Sequence, residues 1–524
     1  MTLTQRDNTQ RLTRFITRFM FVWFLKQNAI IPAWLFDKKE MTHVLNKTFD
    51  PHSQTDGVYY NGVVQNLFFA TLNKDASARA FTNDAKSRQN HDYGVKPLYR
   101  DHKGESLFGI SHDAFVTLFK SVPFLNSGLF DCLDSMTGGI TQRYIDGFSR
   151  EKSRAACMPN ALFWGDGVHE GVIPLFSRYD FTLDEFSSRD NPRVLTPRIL
   201  GKALETFDHA ACCPPPELVE RITDATLKAY LEQTLRRHGA YITNEQLNAL
   251  FYNDVPQIIP EKQPASISIP QIIPEKQRAS ITEPHTVPEK QPAVIIGTQA
   301  FTEKQCALII NAVHHCTIID PACGTGDVLL SALHKRMSLL DTLSPDSASA
   351  YNRKLSIIEH GLFGIDAQPF ALEICTLRFF LSLLADQSVN TTHDNWGIRT
   401  LPNLETRFVA ANSIAHHETL RPLSDIPLIT IKQRQLRENL HRYFHAITAQ
   451  EKMLLRHSSQ RLRADISALQ ELYPKSTPSP LPPPPHHNYE SFDVVTGFGF
   501  RAMRSPASSR VTITAKRTEY VKNF

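Results

Sequence analysis

Asp320, Gly324, Gly326 and Asp366 are the residues of this chain whose types and spacing could do chemistry. Asp320 closes the β-branched run Thr317, Ile318, Ile319; the sequence continues PACGTGD, and helical apolar spacing resumes from Val328 to Leu333. The two glycines permit a tight turn and let a ligand approach the backbone closely. A strand, such a turn and a helix form a nucleotide-type pocket at the carboxyl end of a parallel strand. No Gly-Lys-Ser/Thr follows, so this is not a Walker loop, and it is not the three-glycine dinucleotide fingerprint. Asp366 ends a second apolar run, LFGI, ahead of an amphipathic helix with Ala371, Ile374, Leu377, Phe380 and Leu381 on one face. A carboxylate at that strand tip can accept both ribose hydroxyls of a nucleoside. The alternative is a strand-end aspartate that caps the helix, worth about 1 kcal/mol.

The rest of the chain must position these groups. With 524 residues, 41% hydrophobic and 21% charged, it is long enough for two or three domains with substantial cores. A net charge of +4 is too small to argue for nucleic acid by itself. The eight cysteines are scattered, and Cys212-Cys213 is the one close pair, which implies neither a zinc site nor a disulfide framework. The apolar segment Phe15 to Leu25 carries Arg18 and is too short and too charged to span a bilayer. It does not read as a signal peptide, so a cytoplasmic protein with no membrane partner is expected.

Residues 1–208 read as a mainly helical domain, whose first apolar helix, after Arg11, is expected to be buried and to stop near Pro32. Residues 209–253 form a further helical region. Residues 254–298 hold three 14-residue repeats, PQIIPEKQPASISI, PQIIPEKQRASITE and PHTVPEKQPAVIIG, with a fourth copy in register at Thr298 to Asn311. Their prolines interrupt helix, so an extended linker is expected. The glycine turn lies in a core at 299–428. A charged helical hairpin follows at 429–474, with Leu436, Leu440, Tyr443 and Phe444 on one side. Lys432, Arg434, Arg437, Arg442, Arg456, Arg461 and Arg463 could touch DNA phosphates or form a solvated face. A proline-rich linker at 475–490 leads to 491–524.

The string DPACGTGD resembles motif I of S-adenosylmethionine-dependent DNA adenine-N6 methyltransferases, usually DPACGSG. FGIDAQPFALEICTLRFFLSL is similar to motif II and its helix in the Eco57I-like adenine methylases of type IIG and phage-exclusion systems. LPNLETRFVAANSI is similar to their motif III, LPNLDYKFVVGNSL, and CCPPPELVERITDATLKAYL to their motif X, with Pro215 on the motif's proline. Cys213 and Pro214 stand where that motif has tyrosine and threonine. The likeness covers most of Arg11 to Gly497.

The resemblance implies an α/β fold: an incomplete Rossmann-like methyltransferase sheet preceded by a mainly helical N-terminal domain, with strand four and a divergent basic tail at 491–524. It implies that Asp320, Pro321, Ala322, Cys323, Gly324, Thr325, Gly326 and Pro215 line a site for S-adenosylmethionine. Asp366 would bind its ribose, and Asn412 its adenine side. Asn412 has an alternative reading as a turn residue that tolerates a left-handed backbone. No metal is implied. The implied partner is double-stranded DNA, in which adenine N6 of a flipped base receives the methyl group.

Family strand four, here SFDVVTG at Ser491 to Gly497, runs into the catalytic tetrapeptide NPPY. This chain continues as Phe498, Gly499, Phe500 and Arg501. An exocyclic adenine amine is a poor nucleophile, because its lone pair is conjugated with the ring. The asparagine and a proline carbonyl accept its two protons, and the aromatic residue stacks on the base. Losing one positioned group of this kind costs about 3 to 4 kcal/mol of transition-state stabilisation. The reading expects a chain truncated or frameshifted in motif IV, with no intact catalytic residue and no upstream nuclease. Two possibilities stay open: a part of an active enzyme completed by a downstream polypeptide, or a non-catalytic remnant.

Overall fold

The apolar run after Arg11 folds into a helix, α1 (Leu3–Gln27), and buries Phe15, Phe19, Trp23 and Phe24. A computed structural model describes residues 3–82, 98–132, 134–137, 141–143, 145–150, 152–153, 155–185, 191–205, 214–252, 256–258, 293–296, 299–344, 349–411, 427–471 and 510–512. The helix stops before Pro32. Ala29 turns left-handed at φ 55°, and the N–H groups of Ile30 and Ile31 both donate to the Leu25 carbonyl.

The described residues are predominantly helical, with small sheets that make a partial α/β architecture. Among them, no helix is long and apolar enough to cross a membrane. The chain divides into two compact units.

The first unit comprises Met1–Pro215, Ile319–Leu330 and Leu362–Ser508. Its glycine turn follows β1 (Thr317–Asp320) and opens α3 (Asp327–Leu343), while helix α2 (Pro197–Glu205) precedes both in the chain. The second apolar run forms β2 (Leu362–Asp366), and its amphipathic continuation forms α4 (Pro369–Leu384). Helix α4 is buried on nearly every side, because α1 and α2 both pack on it; Phe21 of α1 meets Phe380, and Arg14 donates to Glu373 at 3.5 Å.

Within the segment LPNLETRFVAANSI, Phe408–Ala410 forms β3. It runs parallel to β2, with Phe408 opposite Gly364 and Ala410 opposite Asp366. The strand order in this sheet is β3-β2-β1. Ile319, Phe363, Ile365 and Ala411 form the apolar cluster under the strand ends, with Val409 against it.

The charged segment is a helical hairpin, α5 (Pro427–His445) and α6 (Ala449–Glu471), closed over Leu436, Leu440 and Ile466. Asn403, fully buried, docks it: its side-chain amide donates to the carbonyls of Tyr443 and Ala446, both at 2.8 Å.

The second unit comprises Pro216–Ile318, Ser331–Gly361 and Ser509–Phe524. The helix Pro216–Arg237 lies against Glu303–His315, where the Tyr230 hydroxyl donates to the Ala312 carbonyl at 3.3 Å. A capping box of Thr302 and Gln305 starts the latter helix. At its other end the buried Arg336 guanidinium donates to the Val313 carbonyl at 3.0 and 2.7 Å. The ends of the repeat region are not a plain linker: Pro256–Ile258 pairs antiparallel with Ala293–Ile296, which pairs antiparallel with Gln299–Thr302. Residues 259–292 lie outside the described residues.

Candidate functional site

The polypeptide leaves β1 at Asp320, which is 2% exposed, and its carboxylate at once accepts the Ala322 N–H at 3.1 Å. Cys323 N–H donates to the Ile365 carbonyl at 2.9 Å, which ties the turn to β2. Gly326 N–H then closes the turn on the Cys323 carbonyl, also at 2.9 Å. Both glycines need the left-handed half of conformational space, with φ 55° at Gly324 and 90° at Gly326.

Their surroundings differ. A Cβ on Gly324 would meet nothing within 4 Å among the described residues, whereas one on Gly326 would lie 2.6 Å from the Cys375 sulfur. Gly326 is therefore a packing glycine, and Gly324 borders open space as far as the described residues go.

Asp366 ends β2 beside this turn. One carboxylate oxygen accepts the Gly324 N–H at 2.8 Å, and the other accepts the Gln368 N–H at 2.9 Å. The second bond closes an Asx turn just ahead of α4, whose N-cap residue is Gln368 and carries no side-chain cap. The first draws the two sequence motifs together: two carboxylates and a glycine turn meet at the ends of adjacent strands. Asp366 remains partly exposed, as an acceptor for an incoming hydroxyl must be.

The other expected site residues divide by the direction of their side chains. Pro321 is half-buried and Ala322 exposed. Cys323 is 5% exposed and turned inward; a hydrogen bond with Cys375, then burial, pushes its thiol pKa well above the ordinary value. Thr325, also buried, accepts from the Arg378 guanidinium through its carbonyl at 2.9 Å and its hydroxyl at 3.3 Å. At these two positions only the backbone course is available to shape a ligand site. Pro215 is exposed immediately ahead of the helix Pro216–Arg237. Asn412, the cysteine pair, the strand at Ser491 to Gly497, and Phe498, Gly499, Phe500 and Arg501 lie outside the described residues.

Three residues behind the turn escaped the sequence reading: Arg378, Glu185 and Asp327. Arg378 interrupts the apolar face of α4, between Leu377 and Phe379, and a charge in such a run is a signal of buried pairing. Nothing local marks Glu185 as its partner.

On the hairpin, Lys432 pairs with Asp465 at 2.7 Å, and Arg456 donates to the Tyr443 hydroxyl at 2.6 Å. Arg434, Arg437 and Arg461 are exposed. Cys132, Asp134 and Asp146 bring potential metal-ligating atoms within 4.8 Å of one another. Their charge is already met, because Asp134 accepts the N–H groups of Asp146, Gly147 and Phe148, and Asp146 pairs with Arg18 at 2.5 Å.

No model of a known protein family matches the chain. A protein of Methanocaldococcus jannaschii, described as a "Putative type II restriction enzyme and methyltransferase", is 23% identical over 441 residues. The match takes in 80% of this chain and 29% of that protein. The chain thus spans less than a third of that relative's length. It is distantly similar to a protein named for restriction and methylation.

Proposed function

We propose that this chain is the S-adenosylmethionine-binding part of a DNA adenine-N6 methyltransferase of a restriction-modification or phage-defence system. The observation that carries the reading is the Asp366 carboxylate bonded to the Gly324 N–H at the ends of adjacent strands. The order β3-β2-β1 suits one half of a doubly wound, Rossmann-like sheet, in which nucleoside ligands lie over the strand ends. The distant match to the archaeal protein named for methyltransfer supports the same class.

The residues present fit the cofactor. Open space borders Gly324, a half-exposed carboxylate stands beside it, and a buried carboxylate terminates the neighbouring strand. Asp366 would accept the ribose hydroxyls, and Asp320 would orient the amino group of the methionine portion. Gly324 would bring its backbone against the ligand. The cofactor supplies an electrophilic methyl group on a sulfonium.

Acceptance of that methyl by adenine needs a side-chain acceptor on the amine beside a backbone carbonyl, and the side chains of Phe498, Gly499 and Phe500 offer none. The chain alone therefore binds the cofactor without turning it over, and double-stranded DNA is methylated only together with a polypeptide that supplies the acceptors. Calorimetry with S-adenosylhomocysteine tests the binding half. We expect saturable one-site binding, weakened at least about tenfold in Asp366→Ala through loss of charged hydrogen bonds worth roughly 1.5–3 kcal/mol. Absence of binding by the folded chain refutes the reading. Tritium transfer from labelled cofactor to adenine-containing DNA, above that of Gly324→Asp, refutes the second half.

A further inference from the structure

Resting on that reading, we propose that Arg378, held by Glu185, is a positioning residue that clamps the cofactor turn at Gly326. The side chain is 1% exposed, and all its partners belong to the first unit. Its Nε donates to Glu185 Oε1 at 2.9 Å, and a terminal nitrogen donates to the same oxygen. That nitrogen also donates to Asp327 Oδ1 at 2.8 Å, while the other reaches the Thr325 carbonyl at 2.9 Å and its hydroxyl at 3.3 Å. Arg198 of α2 approaches Asp327 from another side, at 3.7 Å.

The placement of these acceptors matters more than their number. Thr325 and Asp327 flank Gly326, the turn residue with φ 90°. A guanidinium is a planar fork with fixed donor directions. By engaging the carbonyl before the glycine and the carboxylate after it, the fork removes rotational freedom from the residue that has most of it. The orientation thus imposed extends to Gly324, two residues away, whose N–H meets Asp366.

Stability alone gives little reason for the arrangement. A buried ion network is often no more stabilising than apolar residues of similar volume. On the same helix Cys375 and Phe379 already pack against Gly326 without any charge. What the charges add is direction. Burial raises the Glu185 pKa and Arg378 opposes that rise, so the carboxylate depends on the guanidinium that it orients. Glu185 lies far from the turn in the chain, between the paired strands Asp180–Phe181 and Val194–Leu195. The N-terminal helical part would thereby help set the geometry of the cofactor site.

The test combines hydrogen–deuterium exchange with S-adenosylhomocysteine calorimetry on the full chain. Arg378→Lys keeps the charge and loses the fork, and Glu185→Gln keeps an acceptor and loses the charge. Each is expected to speed exchange of the amides from Gly324 to Val328 roughly tenfold and to weaken ligand binding by a similar factor. Exchange in α1 should stay at the wild-type rate, and an Arg18→Lys control should move α1 and leave the turn alone. Should Arg378→Lys fail to fold, Glu185→Gln and Thr325→Val carry the same comparison. Parallel acceleration of α1 and the turn makes the cluster a stability device and overturns the proposal, as does an unchanged turn. If the wild-type chain binds no ligand, the proposed function fails, and the exchange measurement still decides the clamp.

Discussion

Arg18 in the N-terminal helix and Arg378 beneath the glycine turn are alike in burial and in chemistry. Each is about 2% exposed or less and faces a carboxylate, Asp146 in one case and Glu185 in the other. Their remaining donors go to different places. Arg18 reaches the carbonyls of Leu129 at 2.7 Å and Asp131 at 3.0 Å, and its guanidinium covers the Phe69 ring. Leu129 and Phe69 are buried in the N-terminal part, and Asp131 follows the short helix Gly128–Phe130. Arg378 instead grips the two residues around a turn that borders open space. A buried ion pair by itself therefore does not reveal its role. The groups held by its spare donors do.

The largest effect is expected to be shared and then to separate the two. Arg18→Leu and Arg378→Leu each take the nearest cation from a buried carboxylate, although Asp146 keeps Arg14 at 3.8 Å, so urea unfolding should show a loss of about 3–5 kcal/mol for either. Under conditions where both remain folded, affinity for S-adenosylhomocysteine should be near wild type in the first and lost in the second. Equal affinities would erase the contrast.

The two glycines sharpen it on a smaller scale. Gly326→Ala meets both a left-handed backbone and the Cys375 sulfur, and should cost about 2–3 kcal/mol, partly recovered by adding Cys375→Ala. Gly324→Ala meets only the backbone term, about 1 kcal/mol, yet should harm ligand binding more than its stability loss suggests. Denaturation and calorimetry on the same samples check both statements.

In the N-terminal part, Ala29→Gly should relieve the left-handed backbone and stabilise by about 0.5–1 kcal/mol without changing ligand affinity. A smaller, pH-dependent effect belongs to His102. Burial lowers its pKa below the ordinary 6.5, and neither ring nitrogen has a hydrogen-bond partner among the described residues. A depressed folded-state pKa contributes stability above about pH 6.5 that is lost as pH falls through the folded value. The unfolding midpoint should therefore drop on acidification from pH 7 to 5.5, and less so in His102→Gln. An identical drop in both would remove His102 from the account.

Much of the core was legible because its signals are local. The β-branched triplet ending in Asp320, the two glycines after it, and LFGI ending in Asp366 mark strands and turn within a few residues. The apolar face of the hairpin, Leu436, Leu440, Tyr443 and Phe444, is buried as its spacing predicts. Other features left no such trace. The end of α1 depends on Ala29 adopting a conformation alanine rarely takes, so Pro32 was the more visible stop. The repeat prolines pointed to a linker, but the Ile- and Val-bearing stretches at both ends pair as antiparallel strands. Asn403 looked like a motif letter, whereas its amide binds two carbonyls at the end of α5.

The order of residues alone decided where the backbone could turn against a ligand and which carboxylates end the flanking strands, because β-branching, glycine and helical spacing act over single turns of chain. Folding decided what holds that turn still. Glu185 and Arg378 stand 193 positions apart, and hydrogen bonds between such distant segments follow no period that a sequence displays. They form only when packing brings a charge in an apolar helix to carboxylates that can satisfy it, here Glu185 and Asp327.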